Sequence, residues 1–95
     1  MFEWDSKKAA LNEAKHGISF MEASTAFFDP AGIDGEDVEH STTEARRFRL
    51  ARSAGGNTLV IAYTVRSHSH EKNIRIISAR LANRKEKRRY QAEKD

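Results

Sequence analysis

The segment that most constrains this fold joins an apolar run, Ile74 to Leu81, directly to a basic run, Asn83 to Tyr90. Three isoleucines in the first run favour an extended backbone, because β-branched side chains fit a pleated sheet well. Arg75 and Arg80 interrupt this strand, although a guanidinium adds nothing to the packing of an apolar strand. The segment therefore predicts a strand that leads into a basic helix, with an anionic partner as the natural ligand.

Length and composition describe a single small domain over residues 1–95. With 38% hydrophobic and 33% charged residues, the chain is globular and long enough for one modest core. It has no cysteine, which excludes a disulfide framework, thiolate catalysis and a cysteine-based zinc site. No apolar run approaches the roughly 20 residues needed to cross a bilayer, and the first residues lack a secretion-signal pattern. We therefore expect a soluble cytoplasmic protein with no membrane partner.

The charge of the chain is unevenly distributed. Residues 1–40 carry nine acidic side chains against three lysines, whereas residues 41–79 carry seven basic side chains against two acidic ones. Residues 80–95 carry seven basic side chains against three acidic ones. This distribution predicts an electropositive surface, which attracts phosphate largely without regard to sequence. The alternative is that the basic side chains only solvate a helix.

The first third predicts a short strand and a helix. Residues 2–5 alternate apolar and polar side chains, and residues 7–16 fit a helix capped by Asp5 or Ser6 and ended by Gly17. The helical period places a buried face and a basic, exposed face on opposite sides: Ala10, Leu11 and Ala14 on the first, and Lys8, Asn12 and Lys15 on the second.

A second helix is predicted over residues 19–28. Ser19 and Glu22 have the spacing of a capping box, the apolar side chains of Phe20, Ala23 and Phe27 form its buried face, and Asp29-Pro30 ends it.

The remaining elements are strands. We expect an acidic loop with at most a short edge strand over residues 31–41, a strand over 46–53 and a central strand over 58–65. The basic side chains of the 46–53 strand, Arg47, Arg49 and Arg52, predict one wet face. A hydrophilic connection, 67–73, leads to the last strand, and a tight return there would bring Arg66 near Arg75 and leave Arg80 at the far end. The result is an α+β domain: a short strand and two helices packed on an antiparallel sheet, then a basic helix.

A set of short motifs, in order over nearly the whole chain, matches one known family. The most specific are Lys15-His16-Gly17 with Ser19-Phe20, and Ile74 to Arg80. The others are Phe2 to Asp5, Lys8, Asn12, Ala23, Phe28-Asp29-Pro30, Glu44 with Arg46 or Arg47, Tyr63-Thr64 with Arg66, and Arg84 to Tyr90. On these residues the chain resembles the BrnT toxins, which belong to the RelE/ParE-like superfamily of type II toxins. Residues 52–58 and 67–73 differ from the family pattern.

The resemblance implies a small RelE-like domain that acts as a metal-independent endoribonuclease and inhibits translation, with no cofactor. It also implies a cognate antitoxin with a ribbon-helix-helix domain, similar to BrnA. Operator DNA would be bound only through the complex of toxin and antitoxin. RNA is the implied substrate.

Metal-free RNA cleavage needs a group that stabilises a dianionic phosphorane, and arginine suits this task because its planar guanidinium grips two phosphate oxygens. Arg66 and Arg80, both predicted at strand ends, are therefore the leading catalytic candidates, and Arg75 is a predicted RNA contact. The alternative for these arginines is a surface salt bridge to the acidic first third.

His16 is the predicted proton carrier, since an imidazole with an unperturbed pKa of about 6.5 exchanges protons near neutrality. Lys15 is the other catalytic candidate on this helix, while Lys8 and Asn12 are predicted to bind RNA. In one alternative His16 only bonds the terminal carbonyls of its helix; in another, the helix binds phosphate and a different group, for instance His40, carries the proton.

Two aromatic residues have the chemistry to stack on bases. Tyr90 is predicted to contact RNA, with packing of its ring under the sheet as the alternative, and Trp4 is assigned to the core. His68 and His70 are assigned to a solvated loop rather than to a metal site, and no metal is predicted. A second function from another class stays open: a noncatalytic module of the same fold, or degenerate toxin, that only binds nucleic acid or protein.

Overall fold

The computed structural model describes residues 1–40 and 45–94, so Glu44 and the side chain of His40 lie outside the described part of the chain. In chain order the elements are β1 (Phe2–Glu3), α1 (Ser6–His16), α2 (Phe20–Thr25), a 3-10 turn (Ala26–Phe28), β2 (Ile33–Glu36), a 3-10 turn (Val38–His40), β3 (Arg47–Arg52), β4 (Thr58–His68), β5 (Glu71–Leu81) and α3 (Arg84–Lys94). The α+β class is confirmed.

The five strands form one mixed sheet in the order β1-β5-β4-β3-β2. The last three strands are antiparallel and β4 is central, as predicted, and the acidic segment contributes the short edge strand β2. The first strand pairs in parallel with the last, Phe2 opposite Ile74 and Glu3 opposite Arg75, which the sequence pattern did not indicate. The N-terminal strand therefore forms one edge of the sheet, next to the first half of β5.

Helices cover both faces of this sheet. The α1/α2 face carries the larger cluster, which consists of Ile18, Phe20, Ala23, Ala26, Ala51, Leu59, Ile61, Ile76 and Ala79. The α3 face carries a smaller cluster of Leu50, Ala82 and Tyr90, with Ala31, Ile33 and Val60 against it. Because α3 packs on this smaller cluster, it is the described helix that covers the α3 face, and it covers only part of that face.

Local signals explain the helix ends. The Asp5 carboxylate caps α1 by accepting hydrogen bonds from the Lys7 and Lys8 N–H groups, and these bonds lower the pKa of Asp5. Gly17 ends the helix in the left-handed region, with φ of 72°. Ser19 caps α2 through the Glu22 N–H, as predicted. The carboxylate of Glu22 does not close a capping box and instead accepts from Ser53 and Asn57, next to the β3–β4 turn.

The predicted buried face of α1 is wrong and Asn12 is not exposed, whereas Lys8 and Lys15 are exposed as predicted. Ala10, Leu11 and Ala14 are exposed, with 71% of Leu11 accessible, whereas Asn12 is only 8% exposed. The helix lies beside β5, and Asn12 faces inward because its carboxamide bonds main-chain groups at the open edge of that strand.

The predicted wet face of β3 is wrong at Arg49. This side chain lies on the α1/α2 face and is 9% exposed. Its guanidinium donates to the main-chain oxygens of Ala26 and Asp29 and to the Asp34 carboxylate, and it stacks over the Phe27 ring at 5.4 Å. A fully paired arginine is compatible with burial, so alternation alone misassigned the face.

The predicted 67–73 loop is also wrong, because most of it extends β4 and β5. Only Ser69 and His70 turn the chain, with φ values of 48° and 74°. Two residues in the left-handed region give the tight hairpin whose twist matches the flanking strands. His68 and His70 are exposed here. None of the helices in residues 1–40 and 45–94 has the length and apolar character to span a membrane.

Candidate active site

A β-bulge in β5 places two of the predicted arginines on one face of the sheet. Arg75 and Arg80 are five residues apart, and in a regular strand an odd separation puts side chains on opposite faces. Ile77 has no partner on β4, because the ladder passes from Ile76 to Ser78. Such an extra residue reverses the alternation, and bulges often re-aim side chains next to functional sites.

Three predicted arginines therefore share the α3 face. Arg75 pairs with Thr64 and Arg80 with Val60, so the two are four ladder steps apart, roughly 13 Å between Cα atoms. Arg66 lies diagonally across from Arg75 on β4, at about 7–8 Å. The predicted proximity of Arg66 to Arg75, with Arg80 at the far end, is confirmed by this register.

The floor between these arginines is built from small side chains. Ala62 and Ser78 pair with each other halfway along the ladder between Arg75 and Arg80, and both are half-buried. Small side chains let a ligand approach the sheet. The three arginines and this floor are called the arginine trough below.

Arg80 forms a bidentate salt bridge with Glu86. Its Nη1 and Nη2 donate to the two carboxylate oxygens of Glu86, at 2.8 and 2.9 Å, and Nη1 also donates to the main-chain oxygen of Leu81 at 3.3 Å. These bonds from Arg80 lower the pKa of Glu86, and they raise the pKa of Arg80 further above neutrality. The salt bridge thus comes from α3 and not from the acidic first third.

Arg75 forms a salt bridge to the acidic first third of the chain, which is the alternative role predicted for it. Its Nη1 donates to the carboxylate of Glu3 on the neighbouring strand, at 3.0 Å, and both side chains keep about a third of their surface, 28% and 30%, accessible. A partly exposed ion pair of this kind contributes little to stability.

A basic groove lies beside the trough, between α1 and β5. It has a volume of about 240 Å³ and is lined by Lys8, Leu11, Asn12, Lys15, His16, Ile77 and Ser78. The lining contains two lysines, one histidine and no carboxylate. The groove and the trough meet at Ser78, which lines the first and belongs to the floor of the second.

Two predicted RNA-binding residues, Asn12 and Tyr90, are buried, and their polar groups are bonded within the fold. The carboxamide of Asn12 is occupied by the main chain of Ile18 and Ala79. Tyr90 is 4% exposed in the α3 cluster, where its hydroxyl donates to Asp29 at 2.7 Å. The ring thus packs under the sheet, and neither side chain is available to contact RNA in this structure.

Asp29, in the turn before β2, links this turn to β3 and to α3. It accepts from the Tyr90 hydroxyl and from the N–H groups of Ala31 and Arg52. Burial raises the pKa of Asp29, but these hydrogen bonds outweigh burial, so the pKa of Asp29 lies below its usual value. Burial and the bond to Asp29 raise the pKa of Tyr90. Trp4, as assigned, packs on the core with its ring 6.1 Å from that of Phe20.

Sequence reasoning missed Glu86 and Ser78. Glu86 had a detectable signal, because Asn83 and Glu86 have the spacing of a capping box at the start of α3. Ser78 had none, since its place between two arginines depends on the bulge at Ile77.

A small α+β domain with an arginine trough and an adjoining basic groove has the features of a protein that binds phosphodiesters. The sequence matches the family model described as the ribonuclease toxin BrnT of type II toxin–antitoxin systems, over residues 4–86. The structure is similar to the 1.1 Å crystal structure of the Brucella abortus ribonuclease toxin BrnT, with a TM-score of 0.63 and 20% sequence identity, over 88% of this chain and 99% of that chain. At this identity the likeness shows the fold. Comparison with curated proteins gave no significant match.

The chain belongs to the BrnT family of ribonuclease toxins of type II toxin–antitoxin systems. Its class of activity is therefore that of an endoribonuclease.

Proposed function

We propose that this protein is a metal-independent endoribonuclease whose active site is the arginine trough together with the α1 end of the basic groove. Arg66 and Arg80 are the phosphate-binding catalytic residues, His16 carries the proton, and Lys15 assists it. Arg75 and Lys8 hold the flanking RNA backbone. Asn12 and Tyr90 are left out of this set because their polar groups are already bonded within the fold.

The observation that supports this proposal best is the meeting of trough and groove at Ser78. Ser78 then lies between the permanent cations of the trough and a groove that contains a group able to exchange protons. An extended RNA strand that crosses Ser78 passes from the lysines of α1 to the guanidinium of Arg80. Neither region alone combines the two chemistries.

The reaction on such a surface requires no metal. The 2′-hydroxyl loses its proton to a base and its oxygen forms a bond to phosphorus, which gives a crowded dianionic phosphorane. The bond from phosphorus to the 5′-oxygen then breaks, and that oxygen takes a proton. The arginines stabilise the phosphorane, because fixed guanidinium donors act on the charge that develops there. The products end in a 2′,3′-cyclic phosphate and a 5′-hydroxyl.

In the cell, cleavage of RNA by this site inhibits translation, and a cognate antitoxin neutralises it in the cytoplasm. The antitoxin carries a ribbon-helix-helix domain, and the complex of the two proteins binds operator DNA through the antitoxin. The partly accessible arginines of the trough and the exposed lysines of the groove support a partner with acidic side chains at the contact. A neighbouring gene for a small ribbon-helix-helix protein is the expected genetic context.

Induced expression in a bacterial host tests this proposal. Growth arrest with falling incorporation of labelled amino acid is expected, and co-expression of the neighbouring gene or the Arg80→Ala change should relieve it. Normal growth with folded protein in the cell would contradict it.

The salt bridges of Arg75 and Arg80 favour one second candidate, a noncatalytic module or degenerate toxin in which these arginines are structural. Such a module needs the charges but no proton carrier. Replacing Arg66 or Arg80 by lysine keeps the charge and loses the fork, so it should abolish cleavage by an enzyme and weaken binding by a module only slightly.

A further inference from the structure

We infer that Glu86 is a positioning residue for Arg80: it fixes the plane of the guanidinium so that the free edge of Arg80 binds the reacting phosphate. The inference rests on the proposed function and extends it to a residue outside the predicted site. Glu86 itself contacts no RNA in this account, and it acts only through Arg80.

The donors of Arg80 divide between the two tasks. A guanidinium has five N–H donors in one plane. Three of them are used within the fold, two by the carboxylate oxygens of Glu86 and one by the oxygen of Leu81. The remaining two, on Nε and on Nη2, lie along one edge, and no acceptor among the described residues bonds them. Parallel donors on one edge are the fork that takes two phosphate oxygens.

Glu86 is itself held rigidly. Its Oε1 accepts from the Asn83 N–H at 2.8 Å, and its own N–H donates to Oδ1 of Asn83 at 2.8 Å. This reciprocal pair is the capping box of α3. The carboxylate therefore has a fixed direction relative to the helix, and α3 is anchored on the sheet through Tyr90.

The exposures of the two side chains agree with this division. Glu86 keeps 26% of its side chain accessible and Arg80 keeps 42%. Arg80, which retains the two unused donors, is therefore also the more accessible of the two side chains. A phosphate can therefore bind Arg80 without displacing Glu86, which separates a positioning role from a competing one.

The Glu86→Gln variant tests the inference, with Glu93→Gln as the matched control. Glutamine is compatible with the third position of a capping box, so the start of α3 is retained. Its amide N–H₂ cannot accept from Arg80, so one half of the fork is lost. Glu93→Gln removes the same charge from an exposed position of the same helix and leaves Arg80 untouched.

The kinetics of cleavage of a mixed-sequence single-stranded RNA give the first readout. Glu86→Gln is expected to lower kcat by on the order of tenfold or more, with KM within about twofold, because a misdirected guanidinium acts mainly on the transition state. Glu93→Gln should match the wild type. An unchanged kcat per folded molecule in Glu86→Gln, or an increased one, would overturn the inference, and an increase would show that Glu86 competes with RNA.

A second readout does not depend on activity. A 2′-O-methyl RNA lacks the nucleophile and is not cut, and the ¹H–¹⁵N signal of Arg80 Nε reports its own hydrogen bond. In the wild-type protein this signal should move on addition of the RNA while Arg80 stays paired with Glu86, and the movement should be smaller in Glu86→Gln. An unmoved signal would overturn the inference. If the wild-type protein does not cleave RNA and its Arg80 signal nevertheless moves, the proposed function alone is rejected.

Discussion

The carboxamide of Asn12 bonds both main-chain groups of Ala79 on β5. Its Nδ2 donates to the Ala79 oxygen at 2.8 Å, and its Oδ1 accepts from the Ala79 N–H at 3.1 Å. The same Nδ2 donates to the oxygen of Ile18 at 3.1 Å. Because β1 pairs with β5 only at Ile74 and Arg75, Asn12 takes the place of a strand partner further along that edge. It thereby fixes α1, and with it Lys8, Lys15 and His16, beside the trough.

Asn12→Ala should therefore destabilise the fold. The change leaves the buried N–H and oxygen of Ala79 without partners, so we expect a loss of roughly 2–3 kcal/mol in the free energy of unfolding, measured by urea denaturation. Leu11→Ala, at the neighbouring exposed position, is the control and should stay within about 0.5 kcal/mol. Equal stability of the two variants would show that the bonds to Ala79 do not hold the helix.

The two neighbouring side chains at the end of α1 should differ in their kinetic effects. If His16 carries the proton, His16→Ala should lower kcat on the order of a hundredfold, with KM little changed, since general acid–base catalysis contributes this much. Lys15→Ala should raise KM and lower kcat less than His16→Ala does, because its ammonium assists by charge beside the bound phosphate and carries no proton. The pH–rate profile gives the decisive comparison: one limb should disappear in His16→Ala and persist in Lys15→Ala. A retained limb in His16→Ala would assign the proton to another group.

The free energy of unfolding should depend on pH in the acid range because Asp29 accepts a hydrogen bond from Tyr90. The folded pKa of Asp29 lies below its unfolded value, so its contribution to stability is complete above an unfolded pKa of about 3.9 and is lost as the pH falls through the folded value. Tyr90→Phe removes the 2.7 Å bond to this carboxylate and should cost roughly 1 kcal/mol at pH 7. The free energy of unfolding should be measured from pH 7 down to pH 2 for the wild type and for Tyr90→Phe. The difference between the two proteins should become smaller as the pH falls. A difference that is constant with pH would contradict the role of Asp29.

The order of elements could be predicted from the sequence because its signals are local. Asp5, Gly17 and Ser19 mark helix ends by their own chemistry, and the apolar run of β4 indicates a central strand without knowledge of its neighbours. The predicted proximity of Arg66 and Arg75 follows from the tight hairpin, which is also a local feature.

The missed features depend on contacts between distant residues. The helical period of α1 could not show that Asn12 bonds Ala79, 67 residues away. The prediction therefore placed the wrong side of the helix in solvent. Alternation along β3 treated Arg49 as wet, although Asp34 and two main-chain oxygens pair with it. Parity along β5 would have separated Arg75 from Arg80, and only the bulge at Ile77 unites them.

Cleavage of an end-labelled single-stranded RNA in EDTA, by the wild-type protein and by Arg80→Lys, tests the central claim most directly. The account predicts cleavage by the wild type without metal, products with 2′,3′-cyclic phosphate ends, and a rate lower on the order of a hundredfold or more in Arg80→Lys, because lysine keeps the charge and loses the fork. Arg52→Lys, at an exposed position outside the trough, should cleave as the wild type does. Equal rates for wild type and Arg80→Lys, or cleavage abolished by EDTA, would contradict an arginine-based, metal-independent ribonuclease.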